Sequence, residues 1–461
     1  MHKQELLESI AAGNLLKEPT SEIRQLLKEK KKIIVVLDDD PTGTQTVHNV
    51  PIITEWTEEI IKKEVLSNRI FFILTNSRSL PSKEANIVGK TIGQRLRTIA
   101  EKYDRHLIVV SRGDSTLRGH YPGEVNALAE GLNLPNAKHI LVPAFFEGGR
   151  YTFKDVHYVQ EKDSFTPAGE TPFAKDNTFG YQSSNLIDWI KEKSDNKISS
   201  DTIHSLSVDS LRKEKARVQT SILENSELTH IISNATANID LEKLALACLS
   251  TNEPLLYRTA ASFVNAISGI QPKALLSKGQ VLGHNNNHGA LIVIGSYVPK
   301  TTEQLNYLKQ HTSAIFIELN VTNAVQESIF RKETLSISNE VENFINSGKT
   351  VVLYTSRTIV KGETKEDSLK IVNLVSKGVI AIVQNLKTTP KYILAKGGIT
   401  SSDIATKALM VRRAIVIGQI SKGIPVWELG YESKFPRVPY IVFPGNVGSK
   451  NTLNDIIKLL E

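Results

Sequence analysis

Three consecutive carboxylates, Asp38, Asp39 and Asp40, end the apolar run IIVVL and open a turn rich in Pro, Thr and Gly, PTGTQT. An unbroken run of Ile, Val and Leu is the pattern of a strand buried on both faces. Acids at its carboxyl end face the crevice where open α/β sheets bind ligands. Adjacent aspartates repel one another unless a cation or several donors compensate, so binding or proton transfer explains them better than a solvated turn. Cations are indeed placed where other strands end: Arg78 in TNSRS after IFFIL, then Arg112 and Arg118 in SRGDSTLRGH after HLIVV. Arg forks grip carboxylates bidentately, and Ser, Thr, Asn and Asp suit hydroxyls, so this inventory fits a small polyhydroxy acid. At least one of these arginines is expected to pair with the aspartates themselves.

The second half carries a different chemistry. Gly295-Ser296 closes LIVIG, Lys396-Gly397-Gly398-Ile399-Thr400-Ser401 follows YILA, and Pro444-Gly445-Asn446-Val447-Gly448 follows YIVF. A glycine-rich strand-to-helix turn leaves backbone N–H groups exposed at a helix start, which favours an anion. Three such turns in one half of the chain point to a phosphate site. Neither GxxxxGK[ST] nor a well-placed GxGxxG occurs, so P-loop and Rossmann signatures are absent.

Positioning these residues requires a scaffold of alternating strands and helices. IFFILTN, HLIVV, HILVPAF and HIISNA read as strands, and SKEANIVGKTIGQRLRTIAEKY reads as a helix between them. LIVIGS, AIFIEL, TVVLYTS and YILAKGG resume the pattern, separated by PKTTEQLNYLKQH, the stretch around Val341–Asn346 and KEDSLKIVNLVSKGVIAIVQNL. The expected fold is therefore two α/β domains with mostly parallel sheets and a ligand cleft between them. We expect an N-terminal helical extension at residues 1–30, an acid-binding domain at 31–278, a polar linker at 279–290 and a nucleotide-binding domain at 291–461.

Length and composition agree with this plan. The chain has 461 residues, 40% hydrophobic and 23% charged, which suits two soluble domains. No apolar run approaches the roughly 20 residues of a membrane span, and the N-terminus lacks the apolar block of a signal peptide. A cytoplasmic protein without membrane partners is expected. The single cysteine, Cys248 in LALACLS, reads as a small core residue. The net charge is +7, yet the lysines are scattered without interleaved aromatics, which argues against nucleic acid and for anionic substrates. His284 and His288 sit in an Asn-rich loop without a nearby acid and read as loop residues rather than metal ligands.

Together these residues resemble the four-carbon acid sugar kinase family. Asp39-Asp40-Pro41-Thr42-Gly43 is similar to its DDxTG motif, and Asp114-Ser115-Thr116-Leu117-Arg118-Gly119 to its DSTxRG motif. Gly397-Gly398-Ile399-Thr400 resembles its GGxT turn, Gly445-Asn446-Val447-Gly448 its closing GNxG turn, and Ser296 corresponds to a nucleotide-contacting serine. The motifs stand in family order from residue 31 to the C-terminus. Pro41 replaces a common aromatic, Asp38 is an extra acid, and Asn234 stands where an Asp is frequent. The loop Phe146–Lys175 also carries unusual local sequence.

The resemblance implies ATP-dependent phosphorylation of threonate, erythronate or an oxo-tetronate. Asp39, Asp40 or Asp114 would act as base, and Arg78, Arg112, Ser115 and Arg118 would bind the acid. Ser296, Gly397, Gly398, Ile399, Thr400 and Gly445 would hold the nucleotide. Mg²⁺ would arrive on ATP and need only one or two protein carboxylates. A homodimer is in keeping with the family, with no interface visible in the sequence.

Two rival readings use the same residues. Asp38-x-Asp40 after a strand, followed by LTNS at Leu74–Ser77, imitates a haloacid-dehalogenase-like phosphatase with Asp38 as nucleophile. Position 118 is Arg, where that mechanism expects a further acid. A non-catalytic sensor of an acid sugar and a nucleotide would need the same pockets as a kinase.

Overall fold

The Ile and Val run preceding the aspartates forms the strand Lys32–Asp38, whose last six residues are buried. It is an inner strand, paired in parallel with Ile70–Leu74 on one side and His106–Arg112 on the other. Helices cover such a sheet on both faces, so its strands need no alternation of polar and apolar residues. Phe71 and Phe72, on the neighbouring strand, are both buried; truncating either to Ala would cost about 3–5 kcal/mol. In this computed structural model the described residues are 3–17, 19–113, 116–213, 216–283, 287–358, 360 and 364–461.

The chain divides into two compact units, Met1–Thr46 with Glu55–Pro272 and Val47–Thr54 with Lys273–Glu461. The first contains seven parallel strands in the order Ile70–Leu74, Lys32–Asp38, His106–Arg112, Leu255–Thr259, Lys138–Val142, His230–Ser233, Ile203–Leu206. From Lys32–Asp38 the chain turns first to Ile70–Leu74 and then crosses to His106–Arg112 on the opposite side. The order therefore reverses at the aspartates, where open sheets place their ligands. Helices Lys3–Asn14 and Thr20–Glu29 belong to this unit and bury Leu6 and Ile23. Arg150–Phe153, Val156–Glu161 and Ser164–Pro167 form a separate antiparallel sheet. Cys248 lies buried in the helix Asn238–Ser250, and burial pushes its thiol up to about 12.

The second unit contains five parallel strands, ordered Ile315–Leu319, Val351–Thr355, Leu291–Ile294, Ile393–Lys396, Pro439–Phe443. Three antiparallel strands extend them: Ile424–Leu429, Arg413–Ser421 and Val50–Ile53. Its strand order reverses between Leu291–Ile294 and Ile393–Lys396. Residues 47–54 thus leave their sequence neighbours and pair with a strand more than 350 positions later. The polar stretch after Gly279 begins inside a short helix, Lys278–Val281, opened by a Ser277–Gln280 capping box. His284 lies outside the described residues, while His288 Nδ1 bonds the Thr389 carbonyl at 3.0 Å.

Candidate functional site

At the reversal point of the first unit, the strand ends stand in register: Leu74 beside Asp38, Asp38 beside Arg112, Arg112 beside Thr259. Asp38 is 0% exposed and pairs with Arg112 Nη1 at 3.3 Å. Burial pushes its carboxyl up to about 7 against the pull of Arg112. Its second oxygen has no hydrogen-bond partner among the described residues and packs where a Cβ on Gly43 would collide. Asp38 therefore has no access to a phosphorus atom, which removes the nucleophile of the phosphatase reading.

Arg78 organises the other two acids. It grips Asp39 with Nη2 to Oδ1 at 2.5 Å and Nε to Oδ2 at 3.3 Å, and reaches Asp40 Oδ2 with Nη1 at 3.3 Å. Asn76, two residues earlier, adopts the left-handed region at φ 54°, which Asn tolerates better than most side chains. Asp40 also caps the turn, accepting Thr42 N–H at 2.8 Å and the Thr42 hydroxyl at 2.6 Å. Burial opposes ionisation of Asp40, but Arg78 and these two donors outweigh it and hold the carboxyl below its ordinary range. Asp40 remains 18% exposed, unlike its neighbours.

Sequence reasoning missed Arg258, at the end of Leu255–Thr259. It donates to the Gly113 carbonyl at 2.8 Å, Ser111 Oγ at 3.1 Å and Glu124 Oε2 at 3.4 Å, and lies 4.0 Å from Asp39 Oδ2. A Cβ on Gly113 or Gly119 would collide with this guanidinium, so the glycines of SRGDSTLRG make room for it. Glu124 is buried and bonded to Ser77 Oγ at 2.5 Å, and burial raises its pKa. The signal was present: Arg258-Thr259 ends an apolar run as the other motifs do, but that run is only LLY.

Arg118 departs from the expected cluster. It pairs with Asp176 at 2.9 Å and stacks over Phe173 at 5.1 Å. Asp114 and Ser115 lie outside the described residues. Asn234 is structural: its amide donates to Asp155 Oδ1, Ser205 Oγ and the Leu206 carbonyl, and its Oδ1 accepts from Asp155 N–H.

In the second unit three turns converge. Gly397 adopts φ +117°, and a Cβ there would lie 2.9 Å from Ser296 Cβ; one on Gly445 would lie 2.9 Å from Ser296 Oγ. Thr400 packs beside Gly295, and Thr301 Oγ1 bonds Ser296 Oγ at 3.2 Å and the Gly445 carbonyl at 3.1 Å. Gly398 begins the helix Gly398–Asp403, and the Ile399 side chain is 66% exposed, leaving its backbone as the useful part. The first N–H groups of such a helix lack intrahelical acceptors.

Two cations there had no role assigned from the sequence, although one of them, Lys396, opens the KGGITS turn. Arg357 Nη2 donates to the Ser296 carbonyl at 2.7 Å, while its buried Nη1 has no hydrogen-bond partner among the described residues. Lys396 is 0% exposed, donates to the Pro444 carbonyl at 3.1 Å and lies 3.6 Å from the Phe443 ring centre. Burial, with a smaller push from Lys300, lowers its ammonium to about 7. Among the described residues no three His, Cys, Asp or Glu side chains form a metal-binding group. None of the described helices is long and apolar enough to cross a membrane.

Residues 34–267 match the family model of a sugar-binding N-terminal domain, and residues 291–453 match that of a nucleotide-binding C-terminal domain. Among solved structures, a Salmonella typhimurium LT2 protein named as a candidate tRNA synthase aligns with a TM-score of 0.68 at 15% identity, over 91% of this chain and 97% of its own. Protein HI1011 of Haemophilus influenzae, a DUF1537 protein, aligns with a TM-score of 0.63 at 17% identity, over 93% of this chain and 100% of its own. At such identities the likeness establishes a shared fold and leaves activity to be argued from the site. No curated protein matches the sequence.

Proposed function

The chain belongs to the four-carbon acid sugar kinase family, and from that premise we propose that it transfers a phosphoryl group from ATP to a hydroxyl of a sugar acid such as threonate, erythronate or an oxo-tetronate. The observation that carries this reading is the division of donors between the two units. Acids and guanidiniums crowd the strand ends of the sugar-binding unit, whereas glycine turns surround Ser296 in the nucleotide-binding unit.

Asp40 is the assigned base. It is ionised, partly exposed and oriented by Arg78 and Thr42, so it can accept the proton of the attacking hydroxyl. Asp39 is the less suitable base, because its side chain is 2% exposed against 18% for Asp40 and Arg78 holds both its oxygens; its role is to fix that guanidinium. Asp114 remains the competing base and Ser115 a substrate contact. Arg78 is the arginine best placed to face the acid, since Arg112 is committed to the buried Asp38 and Arg118 to Asp176.

The turns carrying Ser296, Gly397, Gly398, Ile399, Thr400 and Gly445 offer N–H groups to the phosphates, and the Nη1 of Arg357 adds a charged donor. Mg²⁺ would neutralise phosphate charge and is assigned to ATP, because it keeps several waters and needs few protein carboxylates.

The test is ADP release with Mg-ATP across threonate, erythronate and their 2- and 3-oxo forms. Acid-dependent release that disappears in Asp40→Asn and in Gly398→Val is the expected result. Binding of an acid and ATP without turnover would replace the kinase with a sensor. ADP release unaffected by Asp40→Asn would move the base to Asp114.

A further inference from the structure

Lys396 is a buried cation without a counter-charge. It ends the strand Ile393–Lys396, in register with Ile294 on one side and Phe443 on the other, and is 0% exposed. A lysine ammonium carries three N–H donors. One goes to the Pro444 carbonyl at 3.1 Å, and the ammonium lies 3.6 Å from the Phe443 ring centre. No carboxylate pairs with it among the described residues. A buried charge in that position is costly, and a lysine relieves the cost by giving up its proton.

The surrounding elements supply no anion. Lys300, exposed at the start of helix Pro299–His311, acts on the ammonium and repels it. Arg357 is tied to the Ser296 carbonyl and to Thr302 Oγ1. Asp403, at the far end of helix Gly398–Asp403, is bonded to Lys407 at 2.6 Å and to Ser376 Oγ at 2.8 Å. Tyr440, on strand Pro439–Phe443, donates its hydroxyl to the Ser401 carbonyl. Strand Leu291–Ile294 carries no charged residue. Burial, and after it Lys300, lower the ammonium to about 7, which leaves it about half charged in the free chain at neutral pH.

The amine stands between the two turns assigned to phosphate. Lys396 directly precedes Gly397-Gly398, and the carbonyl it holds belongs to Pro444, directly before Gly445. Phosphates held by the N–H groups of these turns bring negative charge close to the amine. Burial keeps water from screening that attraction.

We propose that the nucleotide supplies the counter-charge Lys396 lacks, so that phosphates bound to the two turns draw a proton from solvent onto its amine. Lys396 is a positioning residue and acts without touching the nucleotide. Charged, it donates a strong bond to the Pro444 carbonyl and fixes the Gly445 turn against Gly397; neutral, it donates a weaker one. Nucleotide affinity then rises as pH falls from alkaline values, and levels off once the free amine is itself charged. This inference rests on the reading of the turns as the nucleotide site.

Calorimetric titration with Mg-ADP at pH 8, in buffers of different ionisation enthalpy, reports the protons taken up on binding. Wild type should take up more than about half a proton per nucleotide, and its affinity should rise about tenfold from pH 8.5 to 7. Lys396→Met keeps an unbranched apolar stem and removes the charge. It should bind with uptake near zero and an affinity that pH barely moves. A lysine with a merely structural role would alter affinity in Lys396→Met and leave wild type without uptake. If Lys396→Met does not fold, wild type still decides: uptake should be greatest near pH 8 and fade by pH 6, where the free amine is already charged. No uptake at pH 8, or equal uptake in both proteins, would overturn the proposal. Proton-linked ADP binding without acid-dependent ADP release from ATP keeps the proposal and overturns the kinase. Acid-dependent ADP release without proton linkage does the reverse, and failure to bind nucleotide overturns both.

Discussion

The two units place their candidate chemistry at equivalent points of similar sheets and build it from opposite materials. In the sugar-binding unit, side chains do the work: Asp38, Asp39 and Asp40 are neutralised by Arg112 and Arg78, and Arg258 threads between two glycines. In the nucleotide-binding unit, backbone does it: Gly397 and Gly445 close around Ser296, and the buried Lys396 pins one turn to the other through the Pro444 carbonyl. A stereochemically varied polyhydroxy ligand is read by directional, charged side chains. Phosphate oxygens are met by any convergent set of N–H groups. The units should therefore fail differently.

The largest effect is expected from Asp40→Asn, which should lower kcat by about 10²–10⁴ while ATP affinity and thermal stability change little. Asp39→Asn sharpens the contrast between neighbours. It strips a buried partner from Arg78, so a loss of about 3–5 kcal/mol in denaturant unfolding should accompany the lost activity. A stable, folded Asp39→Asn would show that the acid cluster is less interdependent than its geometry implies.

Gly397→Val attacks the backbone side. Its φ of +117° and the 2.9 Å approach to Ser296 make any side chain strained, at a cost of about 1–3 kcal/mol. ATP binding should fall at least tenfold while acid binding is retained. Equal loss of both ligands would break the division of labour.

The pH responses should also separate the units. In the sugar-binding unit His139 and His230 are strand partners with ring centres 4.8 Å apart, and burial lowers them to about 3 and about 4. Both lie below their ordinary value of 6.5, so their contribution is whole above pH 6.5 and is lost as pH falls through the folded values. At about 1.4 kcal/mol per pKa unit, each would cost on the order of 1–2 kcal/mol by pH 5. A melting temperature that drops between pH 6.5 and 5, and drops less in His139→Leu/His230→Leu, is the expected record.

Lys396 gives the smaller effect in the other unit. Burial lowers it from 10.5 to about 7, so the stability it permits is whole above pH 10.5 and declines as pH falls through 7. Wild type should gain about 1–2 kcal/mol relative to Lys396→Met between pH 6.5 and 8.5, measured by denaturant unfolding. Parallel curves for the two proteins would mean that Lys396 keeps its charge at neutral pH.

The parallel strands were legible wherever apolar residues ran unbroken, as in IIVVL, IFFIL and LIVI, because a doubly covered strand leaves no polar positions. Arg413–Ser421 and Val50–Ile53 escaped, the first because its burial alternates residue by residue and the second because Pro51 interrupts its short apolar run. Asp39, Asp40, Arg78 and Arg112 were legible as a cluster because charge at a strand end has few structural uses. Arg118 was legible as a motif residue, but its pairing with Asp176 depends on a loop whose path no local pattern predicts. Arg258, Arg357 and Lys396 carry no motif. Their importance comes from what surrounds them.

The sequence by itself determined the class of each half: acids and arginines at strand ends in one, glycine turns at strand ends in the other. Those features are local, since each is written within a few residues of a strand terminus. Tertiary structure alone decided which aspartate is buried and which exposed, that residues 47–54 join the later unit, and that Trp189 and Thr259 meet Arg258 around one recess. Burial and partnership are properties of three-dimensional neighbours, and strand order brings together residues that the chain keeps far apart.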